Sequence, residues 1–129
     1  MSWQFNNREA VFLQIASRLR MDILGGIYAS GDQLPTVRQL AYDAGVNPNT
    51  VQKALTYLEE EGILSSRGTV GRFVASDETV LLAARERVRR EAVAGWLAEA
   101  RAMGMTAEDL IGYIKKEEEC QNDNTGIDL

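Results

Sequence analysis

Apolar residues recur at helical spacing in five stretches of this 129-residue chain, and one region between the third and fourth breaks the rhythm. From about Arg8 to Leu24, the positions Phe12, Ile15, Ala16, Leu19 and Ile23 form one stripe, predicting an amphipathic helix closed by Gly25-Gly26. The following IYASGDQLP reads as a connector, extended at Leu34 because Pro35 disfavours helix before it. Thr36 and Gln39 make a capping box that opens a short helix with Val37, Leu40, Ala41 and Ala44 inward, and Gly45 supplies the left-handed residue after its last turn. Asn47 then caps a helix whose first residue is Pro48 and which runs to about Glu61, with Val51, Ala54, Leu55 and Leu58 as its buried stripe. Two β-favouring runs, 63–66 and 72–75, flank Arg67-Gly68-Thr69-Val70-Gly71 and predict a hairpin. A long Ala- and Arg-rich helix is expected from Asp77 to about Met103, with Leu81, Ala84, Val88, Ala92 and Trp96 on one side. Leu82, Val93, Leu97 and Ala100 broaden that stripe. Gly104 ends it, Thr106 and Asp109 restart a helix, and Leu110, Ile111 and Ile114 make that helix amphipathic up to the KKEEE run. From Cys120 onward periodicity disappears, and a frayed tail is expected over 120–129.

The fold class that follows is mainly α with a small β-hairpin. Two short helices joined at Gly45 have the form of a helix-turn-helix, whose second helix enters the major groove of DNA with its N-terminal residues at the base edges. With Val51, Ala54, Leu55 and Leu58 facing inward, Asn49, Gln52, Lys53 and Thr56 occupy the outer face. Amides can pair bidentately with adenine, an amine suits guanine or phosphate, and a hydroxyl suits a base edge or phosphate. The carboxylates Glu59, Glu60 and Glu61 are held back to the far end of this helix. In the hairpin, Gly68 permits close backbone approach while Arg67 and Arg72 can meet phosphate or the minor groove; an ordinary surface hairpin would carry the same residues solvated.

Charge changes the picture less than its total of −5 suggests. Residues 1–76 carry seven basic and seven acidic side chains, and residues 77–129 seven basic and twelve acidic, so the acidity belongs to the rear. Phosphate affinity depends on the local field at the contact face rather than on the total. The chain has no His and one Cys, at position 120, which leaves no intrachain disulfide, no His-based triad and no Cys/His metal site. No nucleophile is paired with a base and no phosphate-cradling Gly loop opens a helix, so neither an enzyme nor a cofactor is expected. Without a signal-like segment or a membrane-length apolar run, a cytoplasmic chain is expected.

The wording LPTVRQLA, GVNPNTVQKAL, LEEEGIL and TVGRFV, in that order, resembles the winged helix-turn-helix of the GntR family of bacterial transcription regulators. VNPNTVQKA, with so short a chain after it, is most similar to the YtrA-like subfamily. The resemblance covers roughly residues 9–76. It implies a winged helix-turn-helix DNA-binding domain over 1–76 and a short two-helix C-terminal lobe over 77–119. It also implies Arg38 as a DNA contact, and Asn47 and Thr50 at positions where relatives bind phosphate through small hydroxyl residues. Many relatives have Arg at the places of Pro48 and Gln52, so this chain is expected to read a different, more A·T-tolerant operator. The function implied is repression from a palindromic operator in double-stranded DNA, that of a transporter operon including its own gene. The surplus apolar face formed by Leu81, Ala84, Val88, Ala92, Trp96, Leu110, Ile111 and Ile114 would make a homodimer; the alternative is a hairpin folded back on its own winged domain. A small-molecule effector, if any, would need more than this lobe to enclose it. The competing class is a winged-helix module for protein contact, which would show an apolar rather than a polar outer face.

Overall fold

The computed structural model describes residues 3–127 and contains five helices and one hairpin: α1 (Val11–Leu24), α2 (Val37–Ala44), α3 (Pro48–Glu60), β1 (Leu64–Ser66), β2 (Arg72–Val74), α4 (Glu78–Ala102) and α5 (Ala107–Ile127). The chain divides into two compact units, Met1–Glu86 and Arg87–Leu129. The division falls inside α4, later than the boundary expected after Ser76.

In the first unit the core is built where the stripes predict it. Ile15, Ala16, Leu19 and Ile23 of α1 pack chiefly against α3, which contributes Val51, Ala54, Leu55 and Leu58. Leu40 and Ala41 of α2, with Leu24, Leu34, Ile63, Leu64 and Val74, and Leu81 and Ala84 of α4, complete the buried set. Each large aliphatic side chain here contributes about 1.5–3 kcal/mol through removal from water. Among the described residues no polar or charged residue is buried. α1 begins later than the expected Arg8 because the preceding backbone folds back onto Gln14. The Gln14 Nε2 donates to the carbonyls of Asn6 (3.0 Å) and Glu9 (2.8 Å), while its Oε1 accepts from the Asn6 N–H at 3.0 Å. Arg18 lies over the Trp3 ring, 4.6 Å from its centroid, so the segment before α1 is part of the packed unit.

The turn between α2 and α3 follows its capping chemistry. Thr36 Oγ1 accepts from the Gln39 N–H at 3.1 Å and Gln39 Oε1 from the Thr36 N–H at 2.9 Å. Gly45, at φ 69° and ψ 36°, reverses the chain, and the Val46 N–H returns to the Ala41 carbonyl at 3.0 Å. A residue with a Cβ in that conformation costs about 1–2 kcal/mol.

The hairpin pairs antiparallel, Leu64 with Val74, Ser65 with Phe73 and Ser66 with Arg72. The connector before α2, expected to be extended at Leu34, adds a partial third strand to it. Gln33 bridges Phe73, the Leu34 N–H donates to the Arg72 carbonyl at 2.9 Å, and the Val74 N–H donates to the Asp32 carbonyl at 2.8 Å.

α4 starts on Asp77, whose Oδ1 accepts from both the N–H (3.0 Å) and the hydroxyl of Thr79. These bonds hold the Asp77 carboxyl below its usual range. Because the pKa is lowered in the folded state, the cap is complete at neutral pH and is expected to loosen as pH falls into the acid range. The Thr79 amide resonance followed through an acid titration should show this loosening, and Asp77→Asn should abolish the titration.

Two expectations about the rear of the chain are corrected. Leu81 and Ala84, assigned to a subunit interface, are 6% and 3% exposed and belong to the first unit, where the Arg85 Nε also donates to the Leu24 carbonyl at 2.8 Å. The apolar side of α4 at these positions is therefore used within its own winged domain. The tail expected from Cys120 is helical to Ile127, and residues 128–129 lie outside the described residues. Residues 120–123 are exposed, so loss of apolar periodicity there marks a solvated helix surface rather than a helix end. Elongation adds one hydrogen bond per residue once a helix exists, and no Pro interrupts. Gln121 Nε2 reaches Glu117 Oε1 at 3.4 Å, one turn back. In the second unit, Thr106 and Asp109 form the expected reciprocal cap at 3.0 and 3.1 Å, opening α5.

Candidate nucleic-acid interface

The site begins with the start of α3. Asn47 Oδ1 accepts from the Asn49 N–H at 2.8 Å, so the cap uses the amide oxygen and leaves the Asn47 amide N–H2 among the donors at this helix end. Pro48, Asn49, Gln52, Lys53 and Thr56 are exposed and Thr50 is half-buried, as expected from a stripe of Val51, Ala54, Leu55 and Leu58 facing the core. α3 thus presents neutral or basic side chains and the positive end of its helix dipole at its N-terminal end, which suits an anionic partner. Lys53 is exposed, but its Nζ rests 4.2 Å from the centroid of the Phe12 ring on α1, where the two line a shallow cleft with Asn49 and Thr50.

Arg38, in the first turn of α2, is exposed and borders an open cleft of about 790 Å³ lined by Tyr28, Gln33, Thr36 and Tyr42. Burial, and secondarily the Asp22 carboxylate, push the Tyr28 phenol above its usual pKa, so it remains a neutral donor and acceptor there.

The hairpin tip carries Arg67, Gly68, Thr69 and Val70, all exposed. Gly68 has φ 54°, and Arg67 lies over the Phe73 ring with its guanidinium 4.2 Å from the centroid. The tip is tethered from below, because Gln33 Nε2 donates to the Val70 carbonyl at 2.8 Å. Gly71 is required beside it: at φ 132° an added Cβ would sit 2.9 Å from that same Gln33 nitrogen.

Arg72 differs from the expectation. Its side chain is not at the tip but lies back across α3, ion-paired through Nε to Glu59 and donating from Nη1 to Gln52 Oε1 at 3.3 Å. Arg20 of α1 is likewise ion-paired to Glu61. Two of the three acids at the C-terminal end of α3, Glu59 and Glu61, are therefore matched by internal arginines, which reduces the repulsion a phosphate backbone would feel there. The sequence shows the acids and the arginines; only the fold pairs them. Among the described residues no group of three or more His, Cys, Asp or Glu side chains is placed to hold a metal ion, and no helix is long and apolar enough to cross a membrane.

The arrangement is a winged helix-turn-helix with α2 and α3 as the two helices and β1–β2 as the wing. Residues 12–74 match the profile of the family described as bacterial regulatory proteins, gntR family. The chain is 30% identical over 115 residues to the uncharacterized HTH-type transcriptional regulator YhcF of Bacillus subtilis, covering 89% of this chain and 95% of that one. It is 33% identical over 107 residues to the HTH-type transcriptional repressor YtrA of the same organism, covering 82% of each. A solved GntR family transcriptional regulator from Listeria monocytogenes superposes with a TM-score of 0.82 at 28% identity, over 87% of this chain and 98% of that one. With this fold, this family match and relatives aligned over most of both chains, the chain belongs to the GntR family of bacterial transcriptional regulators.

Proposed function

We propose that the protein is a homodimeric repressor that binds a palindromic operator in double-stranded DNA, with α3 in the major groove and the wing against the neighbouring backbone or minor groove. The observation that carries this reading is the exposed N-terminal edge of α3, where Asn47, Asn49, Gln52, Lys53 and Thr56 offer donors and a cation without a carboxylate among them. Arg38 on α2 and Arg67 on the wing supply exposed positive charge from the elements on either side in sequence. A protein-docking module would expose apolar side chains here, and this face is polar. Repression is supported by the likeness to a named repressor.

Salt dependence tests the charge assignment. Each phosphate contact removed lowers the slope of log affinity against log salt by about 0.9. Arg38→Ala and Arg67→Ala are each expected to flatten the slope by about that amount, measured by fluorescence anisotropy on operator and on random duplex. Arg72→Ala should leave it nearly unchanged, since that guanidinium is already paired. A slope unmoved by the Arg38 and Arg67 changes together would place the DNA elsewhere on the molecule.

A further inference from the structure

Gln52 stands on the proposed reading face of α3, yet its carboxamide is not free to turn either way. The Arg72 guanidinium, carried by β2 and fixed by its ion pair with Glu59, donates to Gln52 Oε1 at 3.3 Å. Gln52 and Glu59 are seven residues apart, two turns of one helix, so a single arginine spans both from the side. The Arg72 side chain is 15% exposed and that of Glu59 27%, which gives the clamp a semi-buried base, while Gln52 itself is exposed. Among the described residues nothing takes the Gln52 amide N–H2.

We infer that Arg72 is a positioning residue that fixes the polarity of Gln52, holding its carboxamide oxygen inward so that it meets the DNA as a hydrogen-bond donor only. This rests on the DNA-reading function proposed above and makes it more specific. A free glutamine pairs with adenine through both ends, donating to N7 and accepting from the N6 amino group. A glutamine whose oxygen is turned toward Arg72 points its N–H2 outward, and that N–H2 would face the N6 amino group donor to donor. Guanine presents acceptors at both N7 and O6 and has no such conflict. The clamped amide therefore favours a G·C pair where an unclamped amide favours A·T, reversing the preference expected from the residue type alone. The wing thereby acts on base choice through α3, without its arginine touching the base.

Selection of bound sequences from random duplex DNA by the full chain tests this with three proteins: wild type, Gln52→Ala and Arg72→Met, which keeps the aliphatic stem. The Gln52→Ala selection identifies the base pair whose preference depends on Gln52. At that pair the wild type is expected to enrich G·C over A·T by about tenfold, the usual scale of one good base contact. Arg72→Met is expected to move the ratio toward A·T at that pair and no other. The ratio is unaffected by any general loss of affinity from a loosened wing. Enrichment of A·T there by the wild type overturns the inference and needs no folded Arg72 variant, and so does an Arg72→Met preference identical to wild type. If the wild type enriches no sequence at all, the failure belongs to the proposed function itself.

Discussion

Leu81→Ala is expected to destabilise the winged domain by about 2–5 kcal/mol while leaving the assembly state of the folded protein unchanged. Leu81 is 6% exposed and Ala84 3%, both within the first unit, although they sit on the helix that leads out of it. Truncating the leucine removes apolar area and leaves a cavity that α4 can close only by shifting. That shift is opposed by the Asp77 cap at one end of the segment and the Arg85 bond to the Leu24 carbonyl at the other. Ala84→Leu should also cost, by about 1–3 kcal/mol, through overpacking. Urea denaturation would give the stability and sedimentation of the native variant its assembly state. A Leu81→Ala protein that falls apart into monomers without losing stability would return this residue to a subunit interface. The same reasoning relocates any useful truncation: a cut after Ser76 strips part of the first unit's core, whereas a cut after Glu86 respects it.

What could be read from the sequence was chemistry that acts over a turn or less. Thr36 with Gln39, Asn47 before Pro48 and Thr106 with Asp109 each satisfy helix-end N–H groups within three residues, and all appear as expected. The core stripes of α1 and α3 are similarly local, because periodicity defines a face. It does not say what covers that face, and so the stripe alone points Leu81 and Ala84 to a second subunit while the winged domain buries them itself. The Arg72 clamp was beyond reach for a related reason. Its partners lie 13 and 20 positions away, and in one dimension an arginine near a wing looks like any other arginine near a wing. The strand-like pairing of Asp32, Gln33 and Leu34 with β2 left one trace, the extended bias before Pro35, but nothing that named its partner. The helix through Cys120 is hidden from periodicity, because losing an apolar face is not losing helix.

The second unit should fail to assemble, and operator affinity should fall by about 10²–10⁴, when Ile111 and Ile114 are both changed to Glu. The reason lies in what this unit lacks. Among its described residues only Ala100 is a buried hydrophobic residue, while Trp96 is 56%, Ile111 52%, Ile114 48% and Val93 54% exposed. Two helices with so little core of their own have little to offset the conformational entropy of ordering them. Ile111 and Ile114 are three apart on α5, neighbours on one face, joined in sequence spacing by Leu110, which is half-buried. A second copy of the same surface would bury it, and two-fold symmetry would match a palindromic operator half-site by half-site. Two carboxylates from each chain at the centre of such an interface would be desolvated without partners, which no repacking relieves cheaply. Sedimentation should therefore show a dimer for the wild type at micromolar concentration and a monomer for the variant, and circular dichroism should show helix lost. Amide exchange in the first unit, whose core is separate, should be preserved. Loss of operator affinity would then follow from the loss of bivalency rather than from damage to α3. A wild-type chain that sediments as a monomer with operator present, or a double variant that remains dimeric at full affinity, would end the dimer proposal.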